Sequence, residues 1–372
     1  MARRHTPYHH KFLEAGAVLG DRIGFDAAIV FTSVEDEHLA TREGVGIYDV
    51  YYQGPIDIKG PDAEALLDKV LVRDVARRSR NGGVLYSSLC NEAGGMIDDL
   101  TCYRHSGEHF WLIATPSRVE TVESWVREQG AGMRAYVTNT ISGHAYLSIQ
   151  GPRSRELLSS LTQVDLSTSA LPYFGFTDGV IAEVPMVVSR TGYSGELGYE
   201  LYYPRDYAEH VWDAVLSAGA AVGGKPAGLG ALRSVRMEKK YPLYGLDVND
   251  TTSPLEANLA WAVDVDKFGY IGRDALRRQR DDGVSRLLVG IEFSDPSYVP
   301  TAGDAVSLDG PQIGTVTSTE YGWFLRRYLA MAYLPPGNAD RPVVVTSSEG
   351  TSGDGVVRER AFYDAGGARV NT

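Results

Sequence analysis

Apolar residues recur at helical spacing in some stretches and alternate at strand spacing in others, so the chain reads as mixed α and β with a change of rhythm towards its end. Ala63, Leu66, Leu67, Val70 and Leu71 share one helical face behind Gly60-Pro61-Asp62, where proline suits a first turn, and the preceding IDIK is a strand. Val34 to Arg42 reads as a helix that gives way to a strand near Ile47. VLYSSLCNEAGGMIDDLTCYR reads as a hairpin turning at Asn91-Glu92-Ala93-Gly94-Gly95, and FWLIAT as a further strand. Ser117 with Glu120 predicts a capping box for a helix that turns Val119, Val122, Trp125 and Val126 inward. Asp206 to Ala218 is amphipathic, with Val211, Trp212, Val215 and Leu216 on its buried side, and GLGALRSVRMEKK predicts another helix. From about Ser285 short alternating strands are separated by Gly, Asp and Pro turns, which predicts a separate all-β domain after the charged helical stretch RDALRRQRDDG.

One phrase occurs twice. YLSIQGPRSRELLSSL repeats the strand, the Gly-Pro turn and the paired leucines, with Gly151, Leu157 and Leu158 each 91 positions after Gly60, Leu66 and Leu67. Two related α+β units are expected.

Composition narrows the class. The chain has 372 residues, 43% of them hydrophobic, enough for two or three domains. Its 36 basic and 48 acidic residues give a net charge of −12, which argues against broad binding of nucleic-acid phosphates and favours a small ligand. Cys90 and Cys102 make no disulfide framework or zinc pattern, no apolar run is long enough for a membrane span, and the first residues lack an export segment, so a cytoplasmic protein is expected. The close histidine pairs are His9 with His10 and His105 with His109; the second lies around a hairpin turn without a third ligand nearby, and no metal is expected. P-loop, Rossmann and GxSxG patterns are missing.

The candidate chemistry centres on RTGYSGELGYE, where Gly192, Gly195 and Gly198 predict a turn against which a flat ligand can lie. Glu200 opens the next strand, and its two acceptor oxygens suit the planar donor edge of a pterin or guanine. Asp98 and Asp99 are adjacent on one strand and must face opposite sides, so one of them is structural. The other, near Tyr86, is placed to have a raised pKa or to stabilise a developing cation. Arg233, Arg236 and Lys240 form a basic stripe, either solvated or a landing site for ligand carboxylates.

The segments EHLATREGVGIYDV, GPDAEALLDKVLVRDV, LYSSLCNEAGGMIDDL, RTGYSGELGYE, GLGALRSVRMEKKYPLYGLDV and SPLEANLAWAVDVDKFGYIGRDAL, in this order, resemble the folate-dependent aminomethyltransferase family. That family comprises the glycine-cleavage T-protein, the folate domains of dimethylglycine and sarcosine dehydrogenases, and stand-alone tetrahydrofolate-dependent demethylases. The resemblance implies an α+β three-domain cloverleaf around a folate channel. Its interrupted first domain would hold residues 1–50 and 142–272, an inserted second domain 51–141 with the catalytic aspartate, and a C-terminal β-barrel-like domain 273–372. It implies Asp99 as the catalytic residue beside the pterin N5, and tetrahydrofolate or 5-methyltetrahydrofolate as cofactor. Tyr86, Leu89, Thr115, Tyr193, Glu200, Arg233 and Arg236 are the folate contacts it implies.

Departures from the glycine-cleavage pattern point elsewhere within the family. Leu232 stands where the family has its first arginine, Thr115 where an asparagine is expected, and YDVYYQ where the glycine-cleavage proteins have a DVSHM-like turn. Tyr51 and Tyr52 are therefore candidates for the substrate wall. The resemblance then implies a demethylase that moves a methyl group between a small O-, N- or S-methylated substrate and N5 of tetrahydrofolate. The alternatives are a T-protein acting on a lipoylated carrier protein, a methyltransferase that uses 5-methyltetrahydrofolate, and a folate-binding protein without turnover.

Overall fold

Two sheets of this protein share one plan, seen in a computed structural model that describes residues 2–372. In the first, strand Ile56–Lys59 leads into helix Ala63–Val70, and strands Gly83–Cys90, Met96–Ser106 and His109–Ile113 then form a meander whose last strand returns to pair with Ile56–Lys59. In the second, strand His144–Gln150 leads into helix Ser154–Ser159, and strands Phe176–Ile181, Val184–Ser189 and Gly198–Pro204 form a meander that returns to His144–Gln150. A 3-10 turn and a longer helix follow each meander: Pro116–Arg118 with Val119–Gln129, and Arg205–Tyr207 with Ala208–Ala220. The doubled sequence phrase is thus a doubled topology.

The turn explains why the phrase is kept. Gly60 has φ +132° and Gly151 φ +142°, and a Cβ would come within 2.1 Å of the Arg134 carbonyl oxygen at the first and 2.3 Å of the Gly44 carbonyl oxygen at the second. No other residue fits the left-handed backbone and the close approach. Behind each turn a pair of leucines, Leu66 with Leu67 and Leu157 with Leu158, is buried against its own sheet. Each such side chain removed from water contributes roughly 1.5–3 kcal/mol.

The plans differ at one edge. In the first sheet Tyr136–Asn139 flanks Ile56–Lys59, whereas in the second that place is taken by Val45–Tyr48, from before the first unit, with Gly224–Ala227 added in parallel beyond it. The second sheet is therefore assembled from chain on both sides of the first. A small three-stranded sheet of Arg4–His5, Phe25–Val30 and Val18–Arg22 lies at the N-terminus with helix His9–Glu14. After helix Arg273–Asp282, six strands between Leu287 and Arg358 close into a barrel.

The helix over 119–129 starts differently from expectation. Pro116 opens a 3-10 turn, so Ser117 lies inside that turn, and Arg118 takes the cap position without a side-chain hydrogen bond. The capping box does not form. Helix Ala208–Ala220 begins two residues later than the sequence suggests, again because a 3-10 turn precedes it. Among the described residues no helix is long and apolar enough to cross a membrane.

Candidate active site

Strand alternation separates the two aspartates, as the sequence requires. Asp98 is fully buried; its Oδ2 accepts the Thr115 backbone N–H at 2.9 Å, while its Oδ1 has no partner. Burial, and then the neighbouring Asp99 charge, raise its pKa well above the ordinary carboxylate value. Asp99 is partly exposed on the opposite face. The antiparallel register sets it across from Ser88, with Tyr86 diagonally next on the same face, and the Tyr86 hydroxyl donates to Asp99 Oδ2 at 2.7 Å. Burial raises the Asp99 pKa and the Tyr86 hydrogen bond opposes that rise.

Trp261 covers the Tyr86 side of this pair. Its ring stacks on Tyr86 with centroids 5.3 Å apart and planes 16° apart, the Arg73 guanidinium lies 5.7 Å from the indole centroid, and 59% of the tryptophan remains exposed. Sequence reasoning had no signal for it, because the 3-10 turn Ala260–Ala262 meets the hairpin only through tertiary packing.

From Asp99 a run of tyrosines leads to Glu200. The charges of Arg236 and Asp99 both act on the half-buried Tyr193, whose hydroxyl donates to the Pro242 carbonyl. The Tyr193 ring lies 5.6 Å from that of Tyr241, which neighbours Tyr173, and the Tyr173 hydroxyl in turn feels the charge of Glu200.

Glu200 sits in a cradle of hydroxyl groups. Tyr146 donates to its Oε1 at 2.6 Å and Thr191 to its Oε2, with the Tyr103 and Tyr202 hydroxyls each 3.4 Å from Oε2. Burial, followed by the Glu200 charge, raises the pKa of Tyr103, Tyr146 and Tyr202, so all three remain protonated donors. Tyr202 was legible, being two positions after Glu200 on the same face. Tyr146 is on the neighbouring strand, directly across from Tyr202, and Tyr103 comes from the other sheet.

Several expectations are corrected. The glycines of RTGYSGELGYE offer no open platform: a Cβ at Gly192 or Gly198 would come within 2.1 or 2.2 Å of Gln150 Oε1. Gln150 fills that space, donating to the Thr191 carbonyl at 3.1 Å and accepting from Ser194 at 2.7 Å. Leu89 is fully buried in a hydrophobic core, on the strand face opposite Tyr86, and presents no surface to a ligand. Arg236 is fully buried and engaged: it pairs with Asp247 at 2.8 Å and donates to the Tyr241 carbonyl at 3.0 Å. Arg233 pairs with Glu320 at 2.8 Å with its side chain 43% exposed, and Lys240 lies beyond the helix end, so no continuous basic stripe exists. Thr115 meets Asp98 through its backbone N–H. Tyr51 and Tyr52 pack on Phe25, with Arg4 over Tyr52 and Asn139 donating to the Tyr52 hydroxyl; their contacts are not with Asp99 or Glu200.

The arrangement thus offers a carboxylate oriented by a phenol under an indole, an aromatic wall, and a second carboxylate held in one plane. It suits a flat molecule with a polar edge.

Comparison with known proteins gives the family. Residues 8–267 match the GCVT N-terminal domain model, and residues 286–364 the glycine cleavage T-protein C-terminal barrel domain. The chain is 38% identical over 329 residues to an aminomethyltransferase of Halothermothrix orenii, covering 88% of this chain and 91% of that one. A Moorella thermoacetica aminomethyltransferase is 38% identical over 332 residues, covering 89% and 90%. The crystal structure of the glycine cleavage system aminomethyltransferase T from Bartonella henselae superposes with a TM-score of 0.88 at 26% identity, covering 97% and 98%. The chain belongs to the glycine-cleavage T-protein, or aminomethyltransferase, family.

Proposed function

We propose, from this membership, that the chain transfers a one-carbon unit from an aminomethyl group on a lipoylated carrier protein to tetrahydrofolate. The observation that carries the choice of donor is the 38% identity to proteins named aminomethyltransferase over about nine-tenths of both chains. It outweighs the departures at Tyr51, Tyr52, Thr115 and Leu232 that point to a demethylase, since Tyr51 and Tyr52 have packing partners of their own.

Tetrahydrofolate, when bound, supplies the N5 nitrogen that takes up the one-carbon unit. Glu200 accepts the donor edge of the ligand, in an orientation fixed by Tyr146 and Thr191. Tyr193, Tyr241 and Tyr173 line the wall between the two carboxylates. Asp99, its Oδ2 held by Tyr86, would present Oδ1 to the reacting nitrogen, to accept a proton or stabilise positive charge as the new bond forms. Burial, which raises its pKa, makes it a stronger proton acceptor than a solvated aspartate. Trp261 shields this end from water, and positioning is the protein's main contribution.

The test supplies tetrahydrofolate with either an aminomethylated lipoyl carrier protein or a panel of small methylated amines, ethers and sulfides, and identifies the folate product by mass. Carrier-dependent 5,10-methylenetetrahydrofolate with release of ammonia is expected. Formation of 5-methyltetrahydrofolate from a small donor without a carrier overturns the reading in favour of the demethylase.

A further inference from the structure

A second constellation lies at the N-terminus, outside the site above. His5 on strand Arg4–His5, His9 at the start of helix His9–Glu14, and Asp26 on strand Phe25–Val30 bring one donor atom each to within 4.8 Å of one another. The fold makes this meeting. Parallel pairing sets His5 directly beside Asp26, and the turn after His5 folds the helix back so that the two imidazole centroids are 3.9 Å apart.

The distances are those of a ligand set. Two donors each about 2.0–2.1 Å from a tetrahedral ion stand about 3.3 Å apart. His5 Nδ1 and Asp26 Oδ2 are 3.5 Å apart, long for a hydrogen bond and close to that edge. His9 Nδ1 is buried without a hydrogen-bond partner, the state of a nitrogen that awaits an acceptor of its lone pair. Asp26 is 8% exposed, whereas His5 lies at the surface, so the set is anchored on one side and open on the other. Among the described residues Arg3 competes for Asp26, its guanidinium 2.6 Å from Asp26 Oδ1; its side chain is 57% exposed and free to swing away.

We propose that His5, His9 and Asp26 form a binding site for a divalent transition-metal ion of the zinc and cobalt class. Two imidazoles and one carboxylate are the donors such ions prefer, and the open side leaves a place for water. The ion would tie strand Arg4–His5 and helix His9–Glu14 to strand Phe25–Val30, whose Phe25 stacks on Tyr52 with centroids 5.2 Å apart. The site is independent of the folate chemistry.

The test uses the full chain, stripped with a chelator and titrated with Zn2+ against a chromophoric competitor and with Co2+ by visible absorption. One equivalent is expected to bind with a rise in Tm, since an ion that binds only the folded state stabilises it. His9→Ala and His5→Ala should each weaken binding at least about tenfold, and Arg3→Gln, by removing the competing cation, should tighten it. His5 is exposed, so His5→Ala decides the matter should His9→Ala fold poorly. No saturable binding of either ion, or binding that neither histidine variant weakens, overturns the proposal.

Discussion

The Tyr86 hydroxyl donates a 2.7 Å hydrogen bond to Asp99 Oδ2 across two antiparallel strands, so the candidate catalytic carboxylate is oriented by the strand next to its own. The phenol takes one oxygen of the carboxylate and not the other. Burial keeps the phenol protonated, so it acts only as a donor.

Asp99→Asn is expected to lower kcat by at least about 100-fold, as loss of a positioned acid–base group does, with tetrahydrofolate affinity within about threefold of wild type. Tyr86→Phe should lower kcat by about tenfold, the cost of one charge-assisted hydrogen bond. Single-turnover rates and fluorescence titration with tetrahydrofolate separate the two effects. If Asp99→Asn loses affinity as strongly as turnover, Asp99 is a binding residue.

Glu200→Gln should do the opposite, weakening tetrahydrofolate binding while sparing the rate at saturation. Tyr146→Phe removes the 2.6 Å hydrogen bond that fixes Glu200 Oε1 and should weaken binding by about tenfold, consistent with roughly 1.5–3 kcal/mol for a hydrogen bond to a charged group. In the Glu200→Gln background the same change should have little further effect. Additive losses in the double variant would separate Tyr146 from Glu200.

Arg236→Met is expected to act on stability before binding. It strands Asp247, which is 2% exposed, and an uncompensated buried charge of this kind costs ~3–5 kcal/mol. A large fall in Tm should follow, recovered in part by adding Asp247→Asn. A variant with unchanged Tm and lost folate binding would instead make Arg236 a ligand contact.

Asp98 predicts a pH dependence of stability. An unfolded aspartate ionises near ~3.9, while in the folded chain Asp98 keeps its proton to a higher pH. Between those points the folded state binds the extra proton. The contribution of Asp98 to stability is therefore fully present in acid and is lost as pH rises towards its folded pKa. Asp98→Asn keeps an acceptor for the Thr115 N–H and should flatten this part of the curve, raising Tm at neutral pH relative to wild type. Parallel curves for the two proteins between pH 4 and 8 would refute the assignment.

What could be read in the sequence was whatever depends on local period. The leucine pairs behind Gly60 and Gly151, the hairpin carrying Asp98 and Asp99, and the alternating strands after Ser285 were legible because spacing alone sets which face each residue takes. The glycine-rich stretch was legible as a turn but not in its contacts, since the side chain that fills it, Gln150, arrives from a different strand. Arg236 looked like one member of a surface stripe; only the approach of Asp247 and the barrel residue Ser318 makes it a buried ion-pair partner. Trp261 and Tyr146 reach the site through tertiary packing, which no spacing rule encodes.

The split construction of the second sheet also sets an order of events in folding. Tyr48 pairs with Ser148 while the whole first unit is strung between them, so this sheet cannot close until its two segments are brought together. Joining them through a disordered loop of that length carries a large entropic cost and slows the search. The first unit pairs its meander with its own opening strand, so its collapse ahead of the second sheet would shorten that loop. The hairpin that carries Asp99 would then be in place before the strand that carries Glu200 has a sheet to join.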